Sequence, residues 1–489
     1  MRGLSQRLLM CAAFALGAAS TSGFVLDIQP NDSALRWHLD PPAPGVSANV
    51  VNPTTKAVRY FLCEEGFSPG NVENELNAIR ACFDQWTAVP GSHLKFEEGG
   101  LVGSEVGLNT SDDMNVVFFA KSTLVGSGSC SILNTLGLTC IRCDVIEEAD
   151  IVLNCAQWNW FTDHTLTMTG ATDFFVEGTT THEIGHLIGL LHSPVGGATM
   201  LARVRAGLKG HQKGLSSDEI AAARFLYPEP SQISQLSAVQ GRVTKNATAV
   251  FAAVVLAEDV NGNIVSGTIT DADGDYLLPA LPPGDYKLRA TPLGPAGSQA
   301  LLLGTDIRFD LTGAHTDFAA SADFAVELTA GQTSNLDIAV TGSNLGYRIS
   351  RIHTPQDGSF AFRTPTQLAP GAANVVVGAL VPGLGGVVGG AEFNIRGDGL
   401  LLSATTIDTS SFVGSTLVKA SVSVAANATP GLRSIRISQG AEVIYANGFI
   451  EILPAVDDYN FDGLDDAFQR ANFSRWTGPD AAPGADPDN

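Results

Sequence analysis

The run of residues 181–193 constrains this chain more than any other feature, because it reads THEIGHLIGLLHS and contains the pattern H-E-x-x-H-x-x-G-x-x-H. On an α-helix, His182 and His186 lie one turn apart on the same face, so both imidazoles can reach one ion about 2.0 Å from each nitrogen. A helix cannot bring His192 to the same ion, but Gly189 lacks a Cβ and can reverse the chain there. The pattern therefore predicts a helix, a glycine turn and a three-histidine zinc site.

Three protein nitrogens leave the fourth tetrahedral position open for water, which is the arrangement of catalytic rather than structural zinc. Glu183 is adjacent to the first ligand. We expect its carboxylate to take a proton from this water, whose pKa zinc lowers to about 7, and to pass the proton to the leaving amine. The alternative is a chance match with histidines scattered in a core or on a surface, but five fixed positions make this far rarer than a bare H-E-x-x-H.

The extended motif is followed by Ser193 and by the sequence Ala-Thr-Met at 198–200, and it resembles the metzincin zinc peptidases, specifically the matrixin-like branch. The resemblance covers residues 31–228. It implies an α+β catalytic domain with a mixed twisted sheet and long helices. It also makes Met200 the methionine of the family's Met-turn, a hydrophobic floor beneath the metal.

Local patterns in this region agree with that fold. Apolar residues recur every three or four positions over 72–86, which predicts an amphipathic helix matching the family's first long helix. The apolar runs 115–119 and 149–153 predict buried strands. Ser216 and Glu219 have the spacing of a capping box at the start of the family's closing helix.

The chain also departs from the family. Matrixins hold a second, structural zinc in a loop rich in histidine and aspartate, whereas His164 is the only histidine between 111 and 181, so we predict no such site. The cysteine-bearing latency segment is missing as well. Residues 201–205 read LARVR in place of the Pro- and Tyr-containing wall of the specificity pocket, so substrate preference cannot be carried over.

Residues 1–23 have the pattern of a cleaved secretory signal peptide, with two arginines, an apolar stretch at 8–19 and small residues at 20–23. A transmembrane anchor is the alternative, but the apolar stretch is shorter than the roughly 20 residues that a span requires. We therefore expect a secreted, extracellular protein without a transmembrane segment.

Six cysteines follow the leader, and all lie in the predicted catalytic region: Cys63, Cys82, Cys130, Cys140, Cys143 and Cys155. An even number in an exported chain predicts three disulfides, with about 15 pairings left open. Alternatively, Cys140 and Cys143 are half of a zinc site, but no second close pair completes it.

The formal net charge of −22 and the pI near 4.7 exclude electrostatic binding to nucleic acid or anionic lipid, because no basic stripe offsets the acidity. With nucleic acid and anionic lipid excluded, the expected partner of this zinc site is a protein or peptide substrate.

The composition changes after the predicted catalytic domain, and we interpret 229–236 as a linker. Residues 237–343 resemble a carboxypeptidase regulatory-like, or prealbumin-like, β-sandwich with a closing strand at 335–340. The stretches that carry this resemblance are 239–243, 270–276 and 281–286. The acidic sequence DADGD at 271–275 has the composition of a calcium site, but we favour a hairpin turn.

Residues 344–454 loosely resemble an Ig-like β-sandwich, with strands expected at 374–381, 391–395 and 432–438. Neither β module has a convergent set of catalytic residue types. We expect them to act in spacing, in attachment or in docking to cell-surface or matrix components.

The tail, residues 455–489, contains the pattern D-x-N-x-D-G-x-x-D. Its expected calcium ligands are Asp458, Asn460, Asp462 and Asp466. The loop resembles thrombospondin type-3 or dockerin-like calcium loops, although Gln469 replaces the glutamate of an EF-hand. The alternative is an exposed acidic tail.

These patterns together predict a multidomain chain, in which an α+β metzincin catalytic domain precedes two all-β sandwich modules and a short calcium-loop tail. The expected activity is that of a secreted zinc metalloendopeptidase. Two alternatives stay open: an adhesion or matrix-binding protein built on an inactive metzincin scaffold, and a calcium-dependent assembly component. An intact Glu183 favours the enzyme, since a structural metal site needs no carboxylate there.

Overall fold

The computed structural model describes residue 26 and residues 34–473, with gaps at 104–106, 126–129, 143–145, 164–171, 203–213, 294–316, 344–348, 355–358, 362–364 and 385–389. The predicted signal peptide, Cys143 and His164 lie outside the described residues.

The part of the chain that carries the histidine motif combines helices with a mixed sheet. Its helices are α1 (Val72–Thr87), α2 (Val176–Leu187) and α3 (Ser217–Leu226). Its strands are β1 (Val58–Cys63), β2 (Phe96–Val102), β3 (Val116–Ala120), β4 (Gly137–Ile141), β5 (Ala149–Asn154), β6 (Asn159–Phe161) and β7 (Asp173–Phe175). The sheet order is β2-β1-β3-β5-β4, and β4 is an antiparallel edge strand on β5 beside otherwise parallel pairs. Across the described residues, no helix has the length and apolar character needed to cross a membrane.

The predicted elements of this region are confirmed within about one residue by α1, β3 and β5. The apolar stripe of α1 packs into the core, where the ring of Phe83 stacks on Tyr60 with 3.8 Å between centroids. The predicted capping box at the start of α3 is also present, with reciprocal bonds between Ser216 and Glu219. The spacing of residues was sufficient to predict the apolar stripe of α1 and the capping box of α3, because each pattern repeats within one or two helical turns.

The next region is built from two sheets around one core. Its strands are β8 (Ser237–Lys245), β9 (Thr248–Ala249), β10 (Ala253–Glu258), β11 (Ile264–Ile269), β12 (Asp275–Leu281), β13 (Gly284–Pro292), β14 (Phe324–Leu328), β15 (Thr333–Asn335) and β16 (Ile338–Val340). One sheet has the order β11-β10-β13-β14, and the other has β12-β8-β15, with β9 and β16 also paired to β8. The single closing strand expected at 335–340 is therefore two short strands.

The DADGD turn differs from the expected hairpin, because it joins β11 and β12, which belong to different sheets. Asp271 Oδ1 accepts hydrogen bonds from the backbone N–H groups of Asp273 and Asp275, each at 2.9 Å. The carboxylate closes an Asx-type turn that carries the chain across the core.

A second two-sheet region follows, with its own core. Its strands are β17 (Arg351–Thr354), β18 (Ser359–Ala361), β19 (Thr366–Leu368), β20 (Val375–Pro382), β21 (Ala391–Ile395), β22 (Leu400–Leu402), β23 (Thr406–Asp408), β24 (Ser415–Val424), β25 (Gly431–Gln439) and β26 (Glu442–Ile452). The sheets have the orders β18-β17-β20-β24-β22, with β23 on β24, and β19-β26-β25-β21. The three predicted strands correspond to β20, β21 and β25.

The described chain ends with α4 (Asp466–Phe473), which returns to the first region. The guanidinium of Arg470 donates to both carboxylate oxygens of Glu177, at 2.6 and 2.5 Å. Glu177 lies in the first turn of α2, so this ion pair joins the C-terminal helix α4 to the helix that carries the motif.

The prediction of three disulfides is wrong. One disulfide joins Cys130 and Cys140, but Cys63, Cys82 and Cys155 are free thiols. Cys82 lies on the buried face of α1, with its Sγ within 3.4 Å of the carbonyl oxygens of Ala78 and Glu177. Burial raises the pKa of Cys82 well above its usual range. Counting cysteines failed because the core uses these thiols as small apolar side chains.

Candidate metal centre

The motif lies on α2 and on the turn after it. Gly189 has φ +105°, and a Cβ at this position would lie 2.0 Å from the backbone oxygen of Leu35. A side chain here would be strained and would also collide with the backbone of a neighbouring segment. The predicted role of Gly189 as the residue that reverses the chain is confirmed.

The three predicted histidine ligands converge. The ligand atoms of His182, His186 and His192 all lie within 4.8 Å of one another. Their ring centroids are 4.8 to 5.1 Å apart. In the described ranges, no other group of three or more His, Cys, Asp or Glu side chains is close enough to hold a metal ion.

Backbone carbonyls orient two of the rings. His182 Nδ1 lies 2.7 Å from the carbonyl oxygen of Thr199, and His186 Nδ1 lies 2.7 Å from that of Leu190. Because a carbonyl can only accept, each Nδ1 carries the proton and each Nε2 keeps its lone pair for a metal. Burial and the neighbouring imidazoles also lower the pKa of His182, which keeps it neutral. This donor set fits zinc.

Glu183 is buried against the edge strand β4. A Cβ on Gly137 would lie 2.5 Å from Glu183 Oε1, so the glycine makes room for the carboxylate. The hydroxyl of Thr139 lies 2.8 Å from both the backbone oxygen and Oε2 of Glu183, and its single proton can serve one of them at a time. Desolvation raises the pKa of Glu183 to about 7, against the opposing effect of the Thr139 hydrogen bond. Such a carboxyl can take up and release a proton near neutral pH.

Met200 lies directly beneath α2. A Cβ on Gly185 would be 2.2 Å from its sulfur, so the glycine between the two helical histidines makes space for this side chain. The backbone N–H of Met200 donates to Glu219 Oε1 at 2.9 Å, and its carbonyl accepts from Ser193 N at 2.8 Å. The sequence analysis did not assign a role to Gly185. A glycine inside a helix normally costs stability, so its presence there was a signal that the position needs space for a neighbouring side chain.

Three further side chains bind the carbonyl groups of α2 and of the residue that follows it. The indole N–H of Trp86 donates to Thr181 O at 3.0 Å. The indole of Trp37 donates to Leu187 O at 2.9 Å, and the hydroxyl of Tyr227 donates to Ile188 O, also at 2.9 Å. Sequence analysis identified Trp86 only as an apolar position of α1. The indole N–H, which requires a partner when buried, was the signal for its second role.

The predicted calcium site is not supported. Asp458 accepts from the backbone N–H groups of Asp462 and Gly463, at 3.0 and 3.1 Å. Asp462 Oδ2 accepts from the side-chain amides of Asn460 and Gln469. The remaining predicted ligand, Asp466, is buried and accepts from the N–H of Tyr459. The loop's own donors thus use oxygens of Asp458 and Asp462, and the carboxylates of the loop do not converge as the three imidazoles do.

Comparisons with known proteins agree with this geometry. Residues 54–228 match the family model for matrixin, and residues 238–341 match that for the carboxypeptidase regulatory-like domain. The curated relative "Metalloendoproteinase 1-MMP" of Arabidopsis thaliana is 30% identical over 159 residues, covering 32% of this chain and 39% of the relative. The chain thus spans less than half the length of that relative.

Among solved structures, a marsupial T cell receptor aligns at 8% identity over 44% of this chain and 61% of its own, with a TM-score of 0.13, which supports no argument about this fold. The histidine geometry and the two family matches lead to one conclusion: this multidomain chain contains a matrixin domain followed by a β-rich carboxypeptidase regulatory-like domain.

Proposed function

We propose that this protein is a secreted zinc-dependent metalloendopeptidase, with His182, His186 and His192 as zinc ligands and Glu183 as general base. The observation that carries the proposal is the convergence of three imidazoles, two of which have Nδ1 held by backbone carbonyls. The matrixin match and the metalloendoproteinase relative support the same reaction class.

When bound, the zinc ion supplies Lewis acidity, which lowers the pKa of water and polarises a carbonyl group. Glu183 takes the proton of the attacking water and delivers it to the leaving amine, which balances the hydrolysis. The hydroxyl of Thr139 can donate to either of two acceptors on Glu183. It donates to Oε2 while the carboxylate is charged, and to the backbone oxygen after the carboxylate is protonated.

The edge strand β4 offers a place for substrate. It ends the sheet on the side of Glu183, and its outer edge pairs with no other strand among the described residues. An extended peptide can add to such an edge through backbone hydrogen bonds. We infer that unstructured segments of proteins are the substrates, because a folded segment cannot present a strand to this edge.

The domain boundaries follow from the same interpretation: a signal peptide (1–23), a protease domain (31–228), a linker (229–236), β-sandwiches at 237–343 and 344–454, and a tail (455–489). We propose that the second sandwich is Ig-like and that the protein acts outside the cell, in contact with cell-surface or matrix components. The disulfide between Cys130 and Cys140 supports an oxidising compartment.

The test compares zinc content and cleavage of an unfolded protein for wild type, Glu183→Gln and the control Glu73→Gln. Glu73 is a matched glutamate on α1 whose side chain is 77% exposed. We expect about one zinc ion per chain in all three proteins, with cleavage lowered about 10²-fold or more in Glu183→Gln alone, the size of a general acid–base contribution. Equal cleavage by wild type and Glu183→Gln, or no zinc in wild type, would refute the proposal.

A further inference from the structure

The Met-turn loop, defined here as residues 193–200, is enclosed by both β-rich regions. The backbone N–H of Gly196 donates to the carbonyl oxygen of Asn447 on β26, at 2.8 Å. The side chain of Val195 is fully buried in an apolar cluster that it shares with Val254 on β10 and Leu432 on β25. The loop therefore lies at a junction of three regions of the chain.

The surfaces at this junction fit too closely for added atoms. A Cβ on Gly196 would lie 2.3 Å from the ring of Phe449, and a Cβ on Gly197 would lie 2.4 Å from Leu432 Cδ2. From the opposite side, Gly448 has φ +75°, and its Cβ would lie 2.6 Å from a methyl group of Val195. Glycines on both sides allow the backbones to approach each other, which indicates a specific interface.

A buried carboxylate ties the same loop to the regulatory-like domain. Asp218, in the first turn of α3, accepts from the hydroxyl of Ser193 at 2.7 Å. It also accepts from the hydroxyl of Ser266 and the N–H of Gly267 on β11, at 3.1 and 2.9 Å. One side chain thus satisfies donors from the loop and from a separate domain.

The loop in turn contacts the metal centre. Its residue Thr199 is fully buried and places its carbonyl oxygen 2.7 Å from His182 Nδ1. Its two ends are joined, since the N–H of Ser193 donates to the carbonyl oxygen of Met200 at 2.8 Å. A displacement of the loop at the junction therefore moves the acceptor that orients His182.

We propose that the two β-rich regions are positioning elements of the metal centre: they clamp residues 193–200 and thereby hold the Thr199 carbonyl against His182. Leu432 is the positioning residue through which the second region acts. This role of the β-rich regions differs from the spacing, attachment or docking expected from the sequence. It rests on the proposed function only in assuming that the three histidines bind zinc.

The experiment uses the full chain and compares Leu432→Ala with two leucine controls in the same region. Leu368→Ala truncates a buried side chain in the core of that region, outside the apolar cluster that contains Val195, and Leu401→Ala truncates a side chain that is 75% exposed. The two measurements are hydrogen–deuterium exchange of peptides covering 193–201 and competition for zinc with a chelator.

We expect Leu432→Ala to speed exchange of the loop and to weaken zinc binding about tenfold or more, as loss of outer support for a ligand does. Leu368→Ala should lower thermal stability and leave both measurements at the wild-type value, and Leu401→Ala should change nothing. If Leu432→Ala does not fold, Leu432→Val replaces it, with a smaller shift in the same direction.

Wild-type exchange and zinc affinity in a folded Leu432 variant would overturn the proposal, and so would an equal loss in Leu368→Ala. If wild type itself binds no zinc, the proposed function fails. The exchange measurement then still decides whether the β-rich regions hold the loop.

Discussion

The contact between α4 and the motif helix gives a sharp prediction for Arg470→Ala. The side chain of Glu177 is 1% exposed and that of Arg470 is 17% exposed, and the pair is bidentate. Alanine removes the only cation paired with Glu177 among the described residues and leaves its carboxylate buried. Breaking a buried pair in this way costs about 3–5 kcal/mol, because the remaining charge has lost its compensation.

The matched control is Arg242→Ala, which breaks an arginine–aspartate pair on the surface. Its side chains, Arg242 and Asp275, are 50% and 45% exposed, although the contact distance of 2.6 Å is just as short. Solvent screens this pair, so its loss should cost much less stability than the loss of the buried pair. The double variant Glu177→Gln with Arg470→Ala should regain part of the loss, since it leaves no buried charge.

Urea unfolding followed by tryptophan fluorescence measures these differences in the relevant region. Four of the five tryptophans, at positions 37, 86, 158 and 160, belong to the core of the region that carries the histidine motif or pack against it. If Arg470→Ala shifts the fluorescence transition no further than Arg242→Ala, the C-terminal helix does not stabilise the motif helix and the reasoning is wrong.

Other expected outcomes follow from single residues. Gly189→Ala should lose zinc and at least about 1–3 kcal/mol of stability, since it combines a positive φ with a collision against Leu35, and wild-type zinc content in this variant would contradict us. Cys82 should resist iodoacetamide in the native protein because it is fully buried, and mass spectrometry that finds it alkylated before unfolding would disprove this. Burial raises the pKa of Glu148 from 4.5 to about 7, so the folded protein holds this proton more tightly and stability from this group falls as pH rises from about 4.5 to about 7. Glu148→Gln should flatten that part of the urea midpoint–pH curve, and an unchanged slope would count against the assignment.

The features that were predictable from sequence depend on residues close together in the chain. The spacing of His182 and His186 placed both on one helical face, and Gly189 marked the reversal that brings in the third histidine. The amphipathic stripe of α1 and the capping box of α3 were predictable for the same reason. Helical geometry and backbone sterics act over a few residues, so a short pattern carries enough information.

Other features depend on which distant segments meet. Nothing near Cys82 in the sequence indicates that it lies against Glu177 rather than another cysteine. The acidic pattern at 458–466 matched a calcium loop, yet Asp458 and Asp462 accept hydrogen bonds from the loop's own donors. Residue types alone did not distinguish these outcomes, since the same carboxylate or thiol serves either purpose.

By itself, the sequence determined which three histidines converge, the glycine turn that brings in the third, and the regulatory-like domain that follows. The tertiary structure alone decided that the Thr199 carbonyl orients His182, that Gly185 makes room for Met200, and that two β-rich regions enclose the loop between them. The physical reason is that close packing couples residues far apart in the chain, and their contacts exist only once the segments have docked.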